Sequence, residues 1–198
     1  MHVRWHFHKN IRSHLILLLK RLFDIVFSLL GLLLLSPLLF FMALLAAWDT
    51  NSNGLFVQQR VGQHGKLFKI FKLRSLDAKT HSISAFGRFL RKSKIDELPQ
   101  LFNVLVGDMS FVGPRPDIPG YYDFLTGEKR KILELKPGLT SEASLKYYDE
   151  DALLAQHEDP LRYNDTILFP DKVRMNLDYY YTRTFLGDLK IIWKTIFR

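Results

Sequence analysis

Ile25 to Ala47 reads IVFSLLGLLLLSPLLFFMALLAA, 23 residues without a charge, and the reading of this stretch decides the fold. As a straight helix it would measure about 34 Å, enough to cross roughly 30 Å of hydrocarbon. The flank that follows, Trp48-Asp49-Thr50, lacks a small-residue cleavage pattern, so a membrane segment is expected rather than a secretory signal. Pro37 stands in its middle, where it removes a helical hydrogen bond and crowds the preceding turn, and a break is expected after Ser36. Each arm is then about a dozen residues, or roughly 18 Å, too short to cross alone.

The charge on either side bears on the same question. Residues 1–21 hold Arg4, Lys9, Arg12, Lys20 and Arg21 with no acid, and residues 54–95 hold ten Lys/Arg against the single Asp77. Cytoplasmic flanks collect cations, so a spanning helix would leave one basic cluster on the wrong side. A re-entrant helix, broken at Ser36-Pro37 and returning to the face it entered, accommodates both facts if a neighbour satisfies the freed backbone groups. A kinked transmembrane anchor remains the alternative on these residues alone.

Farther out, 198 residues with 47 % hydrophobic and 24 % charged composition describe a folded chain of about one domain. With no cysteine, a disulfide framework, a thiolate zinc site and a cysteine nucleophile are all excluded. The net charge of +8 sits wholly in the first half, since from Asp96 onward thirteen basic residues meet seventeen acidic ones. No nucleic-acid module is present, so the cations point to lipid headgroups and a phosphorylated ligand rather than to nucleic acid. The seven histidines, His2, His6, His8, His14, His64, His81 and His157, show no metal-ligand spacing.

The remainder reads as α+β and mostly helical. Leu55–Arg60 and Leu67–Arg74 are expected as a short β-hairpin after the turn signal Asn51-Ser52-Asn53-Gly54. Lys72 and Arg74 share a strand face, which reads either as a solvated edge or as a phosphate contact. Ala85–Arg91 and Ile95–Leu105 carry helical periodicity, with Ile95, Leu98, Leu101, Phe102 and Leu105 as an apolar stripe opposite a polar stripe of Asp96, Gln100 and Asn103. Asp96-Glu97-Leu98-Pro99 is a good helix start. Equally, its position after Arg88, Arg91, Lys92 and Lys94 would keep a carboxylate ionised, as nucleophile or metal ligand, and two adjacent carboxylates beside cations suit a divalent cation and a phosphate together. Gly107–Pro116 is a rigid loop able to fix Arg115 for a bidentate phosphate contact. Helix is expected around Tyr121–Leu135, as is a surface helix and loop over Tyr147–Asp159. Helix returns from about Asp171, where Phe185, Leu189, Ile192 and Ile196 form a stripe that suits either the membrane interface or the domain core.

Lys20-Arg21-Leu22-Phe23-Asp24, the Ser36-Pro37 break, Gln59-Arg60-Val61-Gly62, Phe68–Arg74, Asp96–Val104, Gly107–Pro116 and Lys136-Pro137-Gly138-Leu139-Thr140, taken in order, resemble the small monotopic phosphoglycosyl transferases, the bacterial sugar transferases. The resemblance covers roughly residues 20–140. It implies a re-entrant membrane helix with a basic tail over 1–53 and a cytoplasmic catalytic domain over 54–198, with interfacial amphipathic helices, on the cytoplasmic face of a bacterial inner membrane. The implied reaction moves a sugar 1-phosphate from a UDP-sugar to polyprenol phosphate, usually undecaprenyl phosphate, releasing UMP. By the same resemblance Asp96 is the nucleophile that becomes an aspartyl-phosphosugar, Asp96 and Glu97 hold Mg2+, and Lys72, Arg74, Arg91 and Arg115 contact phosphate or nucleotide. Membrane lipid is an implied partner, and association with a second copy is left open. The chain departs from the family pattern at Val61, where many members have proline, and over Ser141–Phe169, so the sugar and the pathway are not implied. Two other readings share some of these features: a membrane-anchored interaction protein on anionic lipid, and a nucleotide-sugar hydrolase.

Overall fold

The computed structural model describes the backbone of residues 2–198 and the side chains of residues 17–198. The side chains of Arg4, Lys9, Arg12 and the four N-terminal histidines fall outside the described residues. In chain order the elements are α1 (His2–Asp49), β1 (Leu55–Val61), a 3-10 turn (Gln63–Gly65), β2 (Leu67–Leu73), α2 (Ala85–Ser93), a 3-10 helix (Ile95–Gln100), α3 (Leu101–Val106) and β3 (Ser110–Val112). Two further 3-10 segments (Tyr122–Phe124 and Gly127–Glu134) precede β4 (Gly138–Thr140), α4 (Glu142–Lys146), α5 (Glu150–Leu154) and α6 (Pro160–Tyr163). A π turn (Asn164–Leu168) then leads into α7 (Phe169–Thr182), and α8 (Phe185–Ile196) closes the chain. The mostly helical α+β reading holds.

The helix α1 continues through Pro37, so the break expected after Ser36 does not interrupt it. Proline has no N–H and orphans the carbonyl four residues back, that of Leu33. Ser36 Oγ donates to Leu33 O at 2.9 Å, and this side-chain donor replaces the missing backbone one, the condition under which proline persists in helices with apolar surroundings. Within α1, Leu17–Asp49 contains an 18-residue window of mean hydropathy 2.6 and is long and apolar enough to cross a membrane. Its large side chains face outward: Leu33, Leu34, Phe40 and Phe41 are 60–78 % exposed. A core helix of a water-soluble domain would bury such residues.

The chain packs as two units. One consists of the chain up to Arg21, Val61–Lys66 and Ser110–Arg198, and the other of Leu22–Arg60 and Leu67–Met109. The sequence division at residue 53 separates membrane-seeking from polar chain, a different criterion from compactness.

In the second unit, Ala46 near the end of α1 is packed with Leu73 of β2 and Leu90 of α2, supported by Met42, Ala43, Phe86 and Ile95. The turn out of α1 needs glycine: Gly54 has φ +76, and a Cβ there would lie 2.2 Å from Ala43 O. Ser84 caps α2 by accepting from Gly87 N at 2.8 Å and donates to Asp49 Oδ2 at 2.7 Å, which fastens the end of α1 to the start of α2. Where one helix over Ile95–Leu105 was expected, a 3-10 turn precedes α3, because Pro99 cannot donate an i→i−4 bond in the first turn.

The first unit buries Val61, Tyr122, Leu125, Ile132, Leu133 and Val173 against Phe169 and Leu177. The helix expected over Tyr121–Leu135 is two 3-10 pieces, split where Gly127 takes φ +57. The loop expected over Gly107–Pro116 contains β3, which pairs in parallel with β4, Ser110 opposite Gly138 and Val112 opposite Thr140. At Gly138 a Cβ would meet Gly113 N at 2.1 Å, so this close backbone approach excludes any side chain. On α8 the buried residues are Asp188 and Ile191, whereas Leu186, Trp193, Ile196 and Phe197 are 64–76 % exposed.

Candidate active site

The site is built in the second unit from β2, α2 and the 3-10 helix that follows it. Lys94 ends α2 in the left-handed conformation, φ 57, which turns the chain so that Asp96, Gln100 and Asn103 face inward. They are 6 %, 3 % and 0 % exposed, while Phe102 and Val106 are 47 % and 52 % exposed. The polar stripe is therefore buried, together with Leu101 and Val104. Asn103 supplies the reason: its Nδ2 donates to Lys69 O at 2.7 Å and its Oδ1 accepts from Phe71 N at 3.3 Å. The amide thus continues the hydrogen bonding of β2 where no third strand stands, which brings this face of the 3-10 helix and α3 against the strand.

Lys72 on β2 pairs with Glu97, Nζ to Oε1 at 2.9 Å, both side chains being less than one-fifth exposed. Asp96 beside it has a buried Oδ1 with no hydrogen-bond partner among the described residues. Its pKa is raised from 3.8 to about 6, first by burial and then by the Glu97 charge, which together outweigh Lys72, Lys94 and Arg91. Even so, a carboxyl with this pKa is predominantly ionised at neutral pH. Desolvation acts on Asp96 fully, whereas Arg91 and Lys94 are exposed and screened. Arg88, one of the cations expected to face the site, donates instead to Ile83 O at 3.0 Å.

Of the other expected site residues, Arg91 is held by a 2.9 Å bond from Nε to Ser75 Oγ. Arg74 follows β2 with its guanidinium 5.6 Å from the Phe56 ring centroid, and its Nε is buried without a hydrogen-bond partner among the described residues. The structure thus brings Lys72, Arg91, Asp96 and Glu97 to one locality and leaves Arg74 near it on the same strand end. Arg115 belongs to the other unit, exposed on the loop after β3 between the buried Pro114 and Pro116. Gln100 was not singled out by sequence reasoning, although it too is buried with an unbonded Nε2. Only its place on the polar stripe with Asp96 could have marked it.

Among the described residues no group of three or more His, Asp or Glu stands ready to hold a metal. The two adjacent carboxylates nevertheless fit Mg2+, which typically takes one or two carboxylates and completes its shell with water and phosphate oxygens. The unbonded Oδ1 of Asp96, raised in pKa by its neighbour, is an acceptor that a divalent cation would satisfy.

The family model described as bacterial sugar transferase matches residues 15–198. The chain belongs to the bacterial sugar transferase family. This sugar transferase is 39 % identical over 149 residues to an undecaprenyl-phosphate galactose phosphotransferase of Salmonella typhimurium, covering 62 % of the chain and 31 % of that longer protein. It is 34 % identical over 201 residues to an exopolysaccharide production protein of Rhizobium leguminosarum bv. phaseoli, covering 91 % and 94 % of the two. It is 33 % identical over 193 residues to a UDP-glucose:undecaprenyl-phosphate glucose-1-phosphate transferase of Caulobacter vibrioides, covering 89 % of the chain and 68 % of that protein.

Proposed function

We propose that this sugar transferase moves a sugar 1-phosphate from a UDP-sugar to undecaprenyl phosphate at the cytoplasmic face of a bacterial inner membrane, through an aspartyl-phosphosugar formed on Asp96. The observation that carries the reading is the unequal state of two adjacent carboxylates. Glu97 is engaged by Lys72 at 2.9 Å, whereas Asp96 Oδ1 is buried and unbonded, so Asp96 is the one poised to attack. With a pKa of about 6, it is predominantly ionised at neutral pH yet poorly solvated, which favours a nucleophile.

In the first half-reaction an Asp96 oxygen forms a bond to the sugar-linked phosphorus as the bond from that phosphorus to the UMP oxygen breaks, the electron pair leaving with UMP. In the second, an oxygen of the lipid phosphate forms the new diphosphate bond as the Asp96 oxygen–phosphorus bond breaks, which restores the carboxylate. Lys72, Arg74 and Arg91 neutralise the diphosphate. Mg2+ held by Asp96 and Glu97, when bound, offsets the negative charge that would otherwise repel the attacking group. The exposed apolar residues Leu186, Trp193 and Ile196 of α8, with Phe197 just after it, suit a helix lying in the membrane interface.

Incubation of the purified chain with a panel of UDP-sugars, with and without undecaprenyl phosphate, tests this reading. A transferase releases UMP beyond one equivalent only when lipid phosphate is present. Continuous release without lipid would identify a hydrolase, and no release with any sugar would identify a binding protein.

A further inference from the structure

Two amides on the inner face of the segment Ile95–Val106 are buried to the same degree and treated differently. Asn103 is bonded at both ends to the β2 backbone, by Nδ2 to Lys69 O and by Oδ1 from Phe71 N. Gln100, three residues earlier and 3 % exposed, keeps a buried Nε2 with no hydrogen-bond partner among the described residues. An unbonded buried amide donor costs on the order of 1–3 kcal/mol, so such a group in a folded site points to a partner that arrives with the ligand. Asp96, on the same 3-10 helix, has the opposite deficit: a buried acceptor, Oδ1, without a donor. The two residues are about 8 Å apart along a helix that rises roughly 2 Å per residue, and neither satisfies the other. A phosphoryl group answers both, because its phosphorus is electrophilic toward Asp96 while its non-bridging oxygens accept from an N–H.

We propose that the Gln100 side-chain amide donates a hydrogen bond to a non-bridging oxygen of the phosphoryl group during its transfer. The inference rests on Asp96 being the nucleophile. Gln100 gains and loses no proton; charge that builds on the equatorial oxygens as the phosphorus–UMP bond breaks is met by a donor already in place. A neutral amide suits this position, since it adds no further charge beside Lys72, Lys94 and Arg91.

Gln100→Met keeps the length and burial of the side chain and removes the donor, and Gln100→Glu keeps the shape and places acceptors where the donor was. In the detergent-solubilised chain, Gln100→Met should lower the single-turnover rate of phosphosugar adduct formation, followed by intact mass, about 10- to 100-fold. Its apparent KM for UDP-sugar should change little, and its ligand-free thermal midpoint should equal or exceed that of the wild type, because no protein bond is lost. Gln100→Glu should be slower still. Wild-type rates in Gln100→Met would overturn the proposal. So would loss of folded protein, or a markedly lowered midpoint, in both variants, which would make the amide a structural group like that of Asn103. Asp96→Asn in the same assay separates the two readings. An adduct retained in Asp96→Asn removes the nucleophile on which the inference depends, whereas an adduct lost there but formed at full rate in Gln100→Met removes the role of Gln100 alone.

Discussion

Asp96 is held at a cost, and its chemistry and its effect on stability have opposite signs. Its folded-state pKa is raised from 3.8 to about 6, so between those values the folded chain binds a proton that the unfolded chain has released. Stability from this residue therefore falls as pH rises from about 4 through 6, and the penalty is complete above neutrality. At that plateau it is on the order of 3 kcal/mol. Asp96→Asn should accordingly raise the unfolding midpoint of metal-free protein at pH 7.5, with the gain shrinking toward pH 4, while turnover falls by several orders of magnitude. Thermal unfolding in chelator at the two pH values, paired with UMP release, measures both; an Asn variant less stable than wild type at pH 7.5 would contradict the cost assigned to the carboxylate. Metal addition gives a second measurement. Mg2+ should raise the wild-type midpoint, do so much less in Asp96→Asn, and restore UMP release that excess chelator stops; undiminished release in chelator would remove the metal from Asp96 and Glu97. The pair Asp96-Glu97 and the cations before it were legible in the sequence as types and spacing. The inward turn was not, because it depends on the left-handed Lys94 and on Asn103 bonding to a strand some thirty residues away. Long-range bonds of that kind leave no periodicity.

At the scale of elements, local signals read well and non-local pairings did not. The hairpin strands and α2 were expected within two residues of their bounds, since turn glycines and a serine cap act locally. The parallel pair β3–β4 was missed, as three-residue strands joined by a long connection carry almost no pattern. A polar cluster in the first unit was missed for the same reason. Lys20 of α1 donates to Val112 O of β3 at 2.9 Å and pairs with Asp188 of α8, while Tyr179 of α7 donates to Asp188 Oδ1 at 2.7 Å. The side chains of Lys20 and Asp188 are 18 % and 8 % exposed, so the pair is largely shielded and its rupture is not softened by water. Lys20→Met should destabilise the chain by about 3 kcal/mol, because Asp188 is left charged and buried, and the double change Lys20→Met with Asp188→Leu should recover most of the loss. Unfolding of the two single variants and the double variant in one detergent checks this. Additive losses would mean that the two charges do not depend on each other.

For the whole chain, the question is on which side of the membrane the two ends of the apolar segment lie. Lys20, before it, is bonded to Val112 and Asp188, and Asp49, after it, accepts from Ser84. Among the described residues only Leu17–Asp49 is a helix long and apolar enough to cross a membrane, so the stretch from Ser84 to Asp188 contains no further candidate helix. The 33 residues of Leu17–Asp49 would extend about 50 Å as a straight helix, well beyond the roughly 30 Å of hydrocarbon. Basic residues flank the segment on both sides, as the proposed cytoplasmic location of both ends requires. Because the chain has no cysteine, single cysteines at Asn10 and Asn53 can be probed without background. Both should react with an impermeant thiol reagent from the cytoplasmic side of oriented vesicles only. Replacing Ser36 and Pro37 by Leu restores the backbone donor to Leu33 O, stiffens the helix and should move the Asn10 site to the opposite face in a measurable fraction of molecules. If Asn10 and Asn53 of the otherwise unaltered chain label from opposite sides, the helix spans, and the bond from Lys20 to Asp188 cannot form in the membrane. The unfolding cycle on those two residues, repeated in vesicles, would then show no coupling between them.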